Sequence, residues 1–240
     1  MEKREILLIT DSHLTERCPQ WTVFRSMLEK ISESKYDVLF LGDIFDVWIG
    51  FPGYETEIHR DFMEWSRREK VKRNIWFLEG NHEFFIKQNR SDCFTEVFSR
   101  SAVLDNGAFY AEHGDLINYH DHLFTLLRAC LRNPLSRFLI KLFGYTGFGT
   151  AFSGRIRKDL KNTNMKQKHY FPLQELLETE ELLRKKQISS AVMGHFHHGR
   201  REGIITVLEK FSPEDYMIGR YRSGTGVEVF PVSDLFGDLK

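Results

Sequence analysis

Five short clusters carry side chains able to hold metal ions: Asp11-Ser12-His13, Gly42-Asp43, Gly80-Asn81-His82-Glu83, His113-Gly114-Asp115 and Gly194-His195-Phe196-His197. Their donors are carboxylate, imidazole and amide oxygen, with no thiolate. Such a set suits Mn²⁺, Fe or Zn²⁺ and not an iron–sulfur or copper(I) centre. A carboxylate from Asp43 shared by two ions would hold them about 3.5–4 Å apart, where the attacking and leaving oxygens of a phosphoryl transfer are both stabilised. Taken singly each cluster says little, because Asp-x-His and Gly-Asp recur by chance and a lone histidine usually packs in a core or faces water. Their order and placement carry the reading.

Each cluster follows a short apolar run. Glu5 to Thr10 reads as a buried strand delivering Asp11 and His13, which point the same way because they lie two residues apart in extended chain. Val38 to Leu41 reads as a second strand, covered on both faces and stopped at Gly42-Asp43. Residues 20–34 have helical spacing, which completes a βαβ unit. Residues 55–73 suggest another helix, Asn74 to Leu78 a third strand, and residues 84–100 a phenylalanine-rich helix. Ala108 to Glu112 leads into His113, and Ile188 to Met193 into His195 and His197. Ligands in open α/β sheets bind beyond the carboxyl ends of strands, where all of these residues fall. From about 204 onward strands at 204–208 and 227–232 are expected to complete a second sheet.

At 240 residues the chain is expected to be one domain. Its 34 basic and 34 acidic residues balance, so no global charge argues for nucleic acid. Three cysteines at no metal-like spacing and a beginning without a leader's apolar region predict a reducing, cytoplasmic home. No window of about 20 uncharged apolar residues would span a bilayer.

Residues 122–170 form a segment apart. Ten basic side chains from Arg128 to Lys168, offset only by Asp159, alternate there with Leu123, Phe124, Leu126, Phe138, Leu142 and others. Pro134 and Gly144 are expected to divide it into short helices. Either it is a cap for an anionic amphiphile or a membrane interface, or it is a two-helix insertion whose basic residues simply face water.

Together, Asp11-x-His13, Gly42-Asp43-x-x-Asp46, Gly80-Asn81-His82-Glu83, His113-Gly114-Asp115 and Gly194-His195-x-His197 resemble the calcineurin-like metallophosphoesterases, across residues 5–200. The resemblance implies a four-layer αββα sandwich with a helical cap, two divalent ions (Mn²⁺ foremost, Fe or Zn²⁺ otherwise), and a bridging hydroxide that attacks phosphorus in line. Asp11, His13, Asp43 and His197 would surround one ion, and Asp43, Asn81, His113 and His195 the other. His82 would stabilise the phosphoryl oxygens and protonate the leaving group, kept charged by Asp46. Alternatively, Asp46 caps the next helix and His82 only supports the ligands. His59, His120, His122, His169 and His198 read as surface or cap residues.

Within the family the chain looks most like the hydrolases of UDP-2,3-diacylglucosamine, lipid A pathway enzymes that release UMP. The phrase Gly42 to Gly50, His113-Gly114-Asp115 followed by Asp121, and the basic, apolar insertion carry that similarity. By this analogy Asp121, Phe124, Arg157, Asn162, Asn164 and Lys168 would touch the substrate, and the protein would sit peripherally on the inner membrane. The chain departs from the pattern at His82-Glu83, where Arg-Asp is usual, at Phe51-Pro52-Gly53, and at Phe124 in place of tyrosine. A soluble phosphoester, cyclic nucleotide or nucleic acid therefore stands as the alternative substrate, and a non-catalytic metal-binding scaffold as a reading of a different kind.

Overall fold

A computed structural model describes residues 5–120, 122–145 and 171–239. Two sheets lie face to face. The first has six strands in the order β13-β12-β1-β2-β4-β6: Gly226–Pro231, Met217–Arg222, Ile6–Ile9, Asp37–Phe40, Ile75–Leu78 and Glu96–Phe98. The second has five, β10-β11-β9-β8-β7: Arg200–Glu202, Ile205–Val207, Ser190–Met193, Phe109–Glu112 and Ser101–Leu104. A short parallel pair, β3 (Trp48–Ile49) and β5 (Glu83–Phe84), stands beside the site.

The central strands β1, β2, β4 and β6 run parallel, so their carboxyl ends share one edge. In the second sheet β8, β9 and β11 are likewise parallel. Because these strands are covered on both faces they are mostly apolar, and alternate residues serve different cores. Leu7, Ile9, Val38, Phe40, Ile75 and Phe77 face helices α1 (Gln20–Ser32) and α2 (Glu57–Glu69), meeting Phe24, Met27 and Phe62. Ile6, Leu8, Leu39, Leu78, Phe109, Ala111 and Val192 fill the space between the sheets. Ala191, Met193, Ile205 and Val207 face Leu176 and Leu183 of a helix at Leu173–Lys185. Three cores separate four layers, helix on sheet on sheet on helix.

The segment expected to form a cap carries α4 (His122–Arg132) and α5 (Pro134–Tyr145) among its described residues. Pro134 supplies the preset φ of a first helical turn, while Asn133 Oδ1 accepts the Ser136 N–H at 2.9 Å. Ile140 is buried among Val47, Ile49, Phe51, Tyr54, Phe84 and Phe85, and Tyr54 Oη donates to the Ile140 carbonyl at 2.7 Å. On the outer side Leu135, Phe138, Leu139, Leu142 and Phe143 stand exposed at helical spacing. Asp121, Arg157, Asn162, Asn164 and Lys168 lie outside the described residues, and Phe124 is described only by its place in α4.

Several sequence expectations are corrected. Residues 84–100 are not one helix: a short strand, a four-residue helix (Ile86–Asn89), a 3₁₀ turn (Ser91–Cys93) and strand β6 occupy them. Phe85 adopts a left-handed φ of 62°, which breaks any helix there. Thr95 then pairs with the open edge of β4, its Oγ1 accepting the Ile75 N–H at 2.9 Å. The late strands also divide: Ile205–Val207 joins the second sheet, whereas Gly226–Pro231 reaches the first by pairing with Met217–Arg222, which lies antiparallel to β1. His59 is no surface residue. It is buried, its Nδ1 accepts the Thr56 N–H at 3.1 Å in a capping box, and its ring lies 4.3 Å from that of Phe45.

Phe62 is fully buried and packs on Phe40, Phe45, Trp48 and Phe77. Phe62→Ala should cost about 3–5 kcal/mol of folding stability, read from the shift in the urea unfolding midpoint.

Candidate metal centre

The site forms where the strand-end turns touch. Gly42 (φ 92°) lets the β2 turn reach the β4 turn: a Cβ on it would sit 2.5 Å from Gly80 N. A Cβ on Gly80 would strike the Asp43 carboxylate. These two positions admit only glycine at this separation. Backbone bonds complete the contact, from Asp11 N to Gly42 O at 3.1 Å, His13 N to Asp43 O at 3.0 Å and Gly194 N to His113 O at 2.9 Å.

Five of the seven expected metal donors adopt left-handed backbone: Asp11 (φ 49°), His13 (43°), Asp43 (53°), His195 (70°) and His197 (60°). For residues carrying a Cβ this costs on the order of 1 kcal/mol each. Each turns its side chain away from the direction a continuing strand would give it, toward the common cleft.

Two donor groups result. Asp11, His13 and His197 converge in one, Asp43, His113 and His195 in another, with the ligand atoms of each group within 4.8 Å of one another. His197 Nε2 lies 3.2 Å from Asp11 Oδ1 and 3.2 Å from His13 Nε2. His113 Nε2 lies 3.4 Å from Asp43 Oδ2 and 3.1 Å from Asn81 Oδ1, while its Nδ1–H donates to Leu41 O at 2.8 Å. That last bond fixes the tautomer and turns Nε2 into the site. Asp11 is oriented in the same manner: Thr10 Oγ1 donates to Oδ2 at 2.7 Å and His195 N at 2.8 Å. Its other oxygen, Oδ1, is buried and receives no hydrogen bond among the described residues. A buried carboxylate oxygen facing two imidazole nitrogens, in a set of oxygen and nitrogen donors, fits a divalent cation.

Electrostatics prepare the donors. Burial raises the Asp11 and Asp43 carboxyls, but histidines overcome it: His197 and His113 at Asp11, His113 and His82 at Asp43. Both stay well below the usual carboxylate range. Burial drives His13 and His195 down to about 4, so both are neutral at physiological pH with lone pairs free to bind metal. Burial lowers His113 too, yet the adjacent Asp43 carries it up to about 10.

His82 sits beside both groups. Its backbone N–H donates to Asp43 Oδ1 at 3.0 Å and its Nε2 lies 3.7 Å from Asp43 Oδ2. Nδ1 meets the backbone carbonyl of Asp46 at 2.5 Å, so Nδ1 carries the proton and Nε2 faces the site. The carboxylate of Asp46 shares a third cluster with His13 and His82, again within 4.8 Å. No helix begins at Asp46; strand β3 follows it.

Glu83 was legible only as the end of a motif, and its work is tertiary. Its Oε2 accepts the N–H groups of Asp43 and Gly80, both at 2.9 Å, and Oε1 that of Ile44 at 3.0 Å. Burial and the charge of Asp43 push its carboxyl up to about 8, against the pull of those amides. One side chain therefore ties the two metal-facing turns together. The sequence signal was an acidic residue directly before the apolar run Phe84-Phe85-Ile86.

Phosphoester hydrolysis assisted by divalent metal is the chemistry of this class of site and fold. Residues 4–199 match the family model described as calcineurin-like phosphoesterase, and the chain belongs to that family. It is 28% identical over 203 residues to the UDP-2,3-diacylglucosamine hydrolase of Stutzerimonas stutzeri (strain A1501), covering 80% of this chain and 81% of that enzyme. With the enzyme of the same name from Azotobacter vinelandii it shares 33% over 143 residues, 56% of this chain and 58% of the relative. The crystal structure of a conserved uncharacterized protein from Streptococcus pneumoniae TIGR4, described as a predicted phosphoesterase, aligns over 92% of this chain and 83% of its own, with a TM-score of 0.40 and 13% identity.

Glu83→Gln puts an amide where three backbone donors need acceptors. It should destabilise the fold by about 1–3 kcal/mol, measured by denaturant unfolding, and weaken Mn²⁺ binding about tenfold or more in a calorimetric titration.

Proposed function

We propose that the protein hydrolyses the diphosphate of UDP-2,3-diacylglucosamine, or a similarly lipid-linked diphosphate, and releases UMP. The observation that carries this reading is a metal-donor cleft set beside an apolar cap. A substrate with a charged diphosphate and two fatty chains needs both surfaces, and the relatives named for that substrate support it.

In this reading Asp11, His13, Asp43 and His197 hold one divalent ion, and Asp43, Asn81, His113 and His195 the other. Two divalent ions bound by these residues, Mn²⁺ foremost, would supply Lewis-acid polarisation of the phosphoryl oxygens and a lowered pKa for water. Asp11 and Asp43 supply the negative charge that keeps both ions in place. As an imidazolium, with its Nδ1–H held by the Asp46 carbonyl, His82 presents Nε2–H to the leaving oxygen and delivers that proton, reverting to the neutral Nδ1–H ring. Asp121, Phe124, Arg157, Asn162, Asn164 and Lys168 are assigned to the sugar-nucleotide and acyl chains.

Among the described residues no helix is long and apolar enough to cross a membrane. The exposed apolar stripe of α5, with Lys141 beside it, suits a helix lying in the lipid–water interface. That stripe supports peripheral membrane association; the cytoplasmic side is part of the proposal and follows from the lipid-linked substrate class.

A second reading has a specific support. His82 offers one imidazole where an arginine would offer a planar fork for two phosphate oxygens, so a smaller, soluble phosphoester is its natural competitor.

Purified protein with Mn²⁺ should release UMP from the diacylated sugar nucleotide; cleavage of generic phosphodiesters without UMP release would favour the soluble substrate. His82→Ala should lower kcat about 10²–10⁴-fold, and an unchanged rate would remove the acid assignment. Phe138→Asp with Leu142→Asp should abolish co-sedimentation with anionic lipid vesicles while sparing turnover of a small ester.

A further inference from the structure

Two arginines one helical turn apart on α4 reach the metal-facing turns from the cap side. Arg128 Nε lies 2.7 Å from Asp115 Oδ2, two residues beyond His113. Arg132 Nη2 donates to the Glu83 carbonyl at 2.7 Å and also to the Gly80 carbonyl, and Nη1 lies 3.8 Å from Glu79 Oε2. The guanidinium stands 5.6 Å over the ring of Phe84. Both side chains are largely buried, 13% and 15% exposed.

The two carbonyls that Arg132 holds flank Asn81 and His82. The same turn is gripped on its donor side by the Glu83 carboxylate, through Gly80 N. One cation thus holds the Gly80 and Glu83 carbonyls, while the Glu83 carboxylate takes the Gly80 N–H and the Asp43 carboxylate the His82 N–H, leaving this four-residue segment little freedom to change width. Tethering a surface helix does not require this. The next helix, α5, is already seated by Ile140 in its apolar pocket and by the Tyr54 hydrogen bond. Removing a guanidinium from water is unfavourable unless its hydrogen bonds offset the loss of hydration.

We propose that Arg132 is a positioning residue for the metal centre. By spanning the Gly80 and Glu83 carbonyls it sets where Asn81 Oδ1 and the His82 ring stand relative to Asp43, which makes α4 part of the frame of the site as well as its cover. The proposal rests on the reading of Asn81 as a donor and His82 as the acid given above.

Metal-free full-length protein is titrated with Mn²⁺ by calorimetry, and kcat and KM are measured at saturating Mn²⁺ on bis(4-nitrophenyl) phosphate, a small ester that does not use the apolar cap. Arg132→Met should weaken Mn²⁺ binding about 10–100-fold and lower kcat, with KM within about twofold of the parent. Arg132→Lys, which keeps a charged donor between the carbonyls, should recover most of the loss. Arg132→Gln is carried alongside in case the methionine variant does not fold, with the same loss expected. Parent-like Mn²⁺ affinity and kcat in the methionine or glutamine variant, with Asn81→Ala impaired, would overturn the proposal alone. Parent-like Mn²⁺ affinity in Asn81→Ala would overturn the reading of the site, and this inference with it.

Discussion

Everything in the site depends on two strand-end turns pressed into contact. Gly42 and Gly80 approach so closely that neither tolerates a Cβ. Asp43 joins them twice, its own N–H donating to Glu83 and its Oδ1 accepting from His82 N. The carboxylate at the centre is therefore fixed by the backbone of a neighbouring strand and not by its own rotamer preference. Parallel pairing of β1, β2 and β4 is what delivers both turns to one edge, since antiparallel neighbours would send alternate turns to opposite ends.

That contact is held against opposing forces. Five donor residues adopt left-handed backbone, and acidic and imidazole groups crowd a buried cleft. The strain and repulsion are confined to loops, while the strands beneath them are mostly apolar and pack on three cores. Functional sites commonly carry strain that the surrounding fold offsets. Here the charges also answer one another: Asp43 raises His113, and the histidines lower Asp11 and Asp43. A cation entering between them would relieve both the histidine–histidine contact and the buried carboxylate oxygen.

Helices α4 and α5 present two faces. Inward they offer Arg128, Arg132 and Ile140 to the turns and to the pocket under Tyr54. Outward they leave an apolar stripe uncovered. An insertion that merely filled sequence would need neither the buried cations nor the exposed phenylalanine and leucines, each of which costs stability or solubility.

The sequence by itself determined which acidic, amide and histidine residues follow the apolar runs and in what order, because a strand buried on both faces is largely apolar and the turn that ends it is free to carry polar side chains. It also marked residues 122–170 as unlike the rest, by charge and apolar content. Tertiary structure alone decided what local pattern could not carry. The phenylalanines from Phe84 to Phe98 look like one helix, yet the free edge of β4 and the left-handed Phe85 make them strand, turn and strand. The two late strands are alike in pattern and end in different sheets, since either sheet had an edge to extend. Glu83 and Arg132 read as ordinary charges, because their partners are backbone amides and carbonyls, which every sequence supplies and only the fold brings within reach.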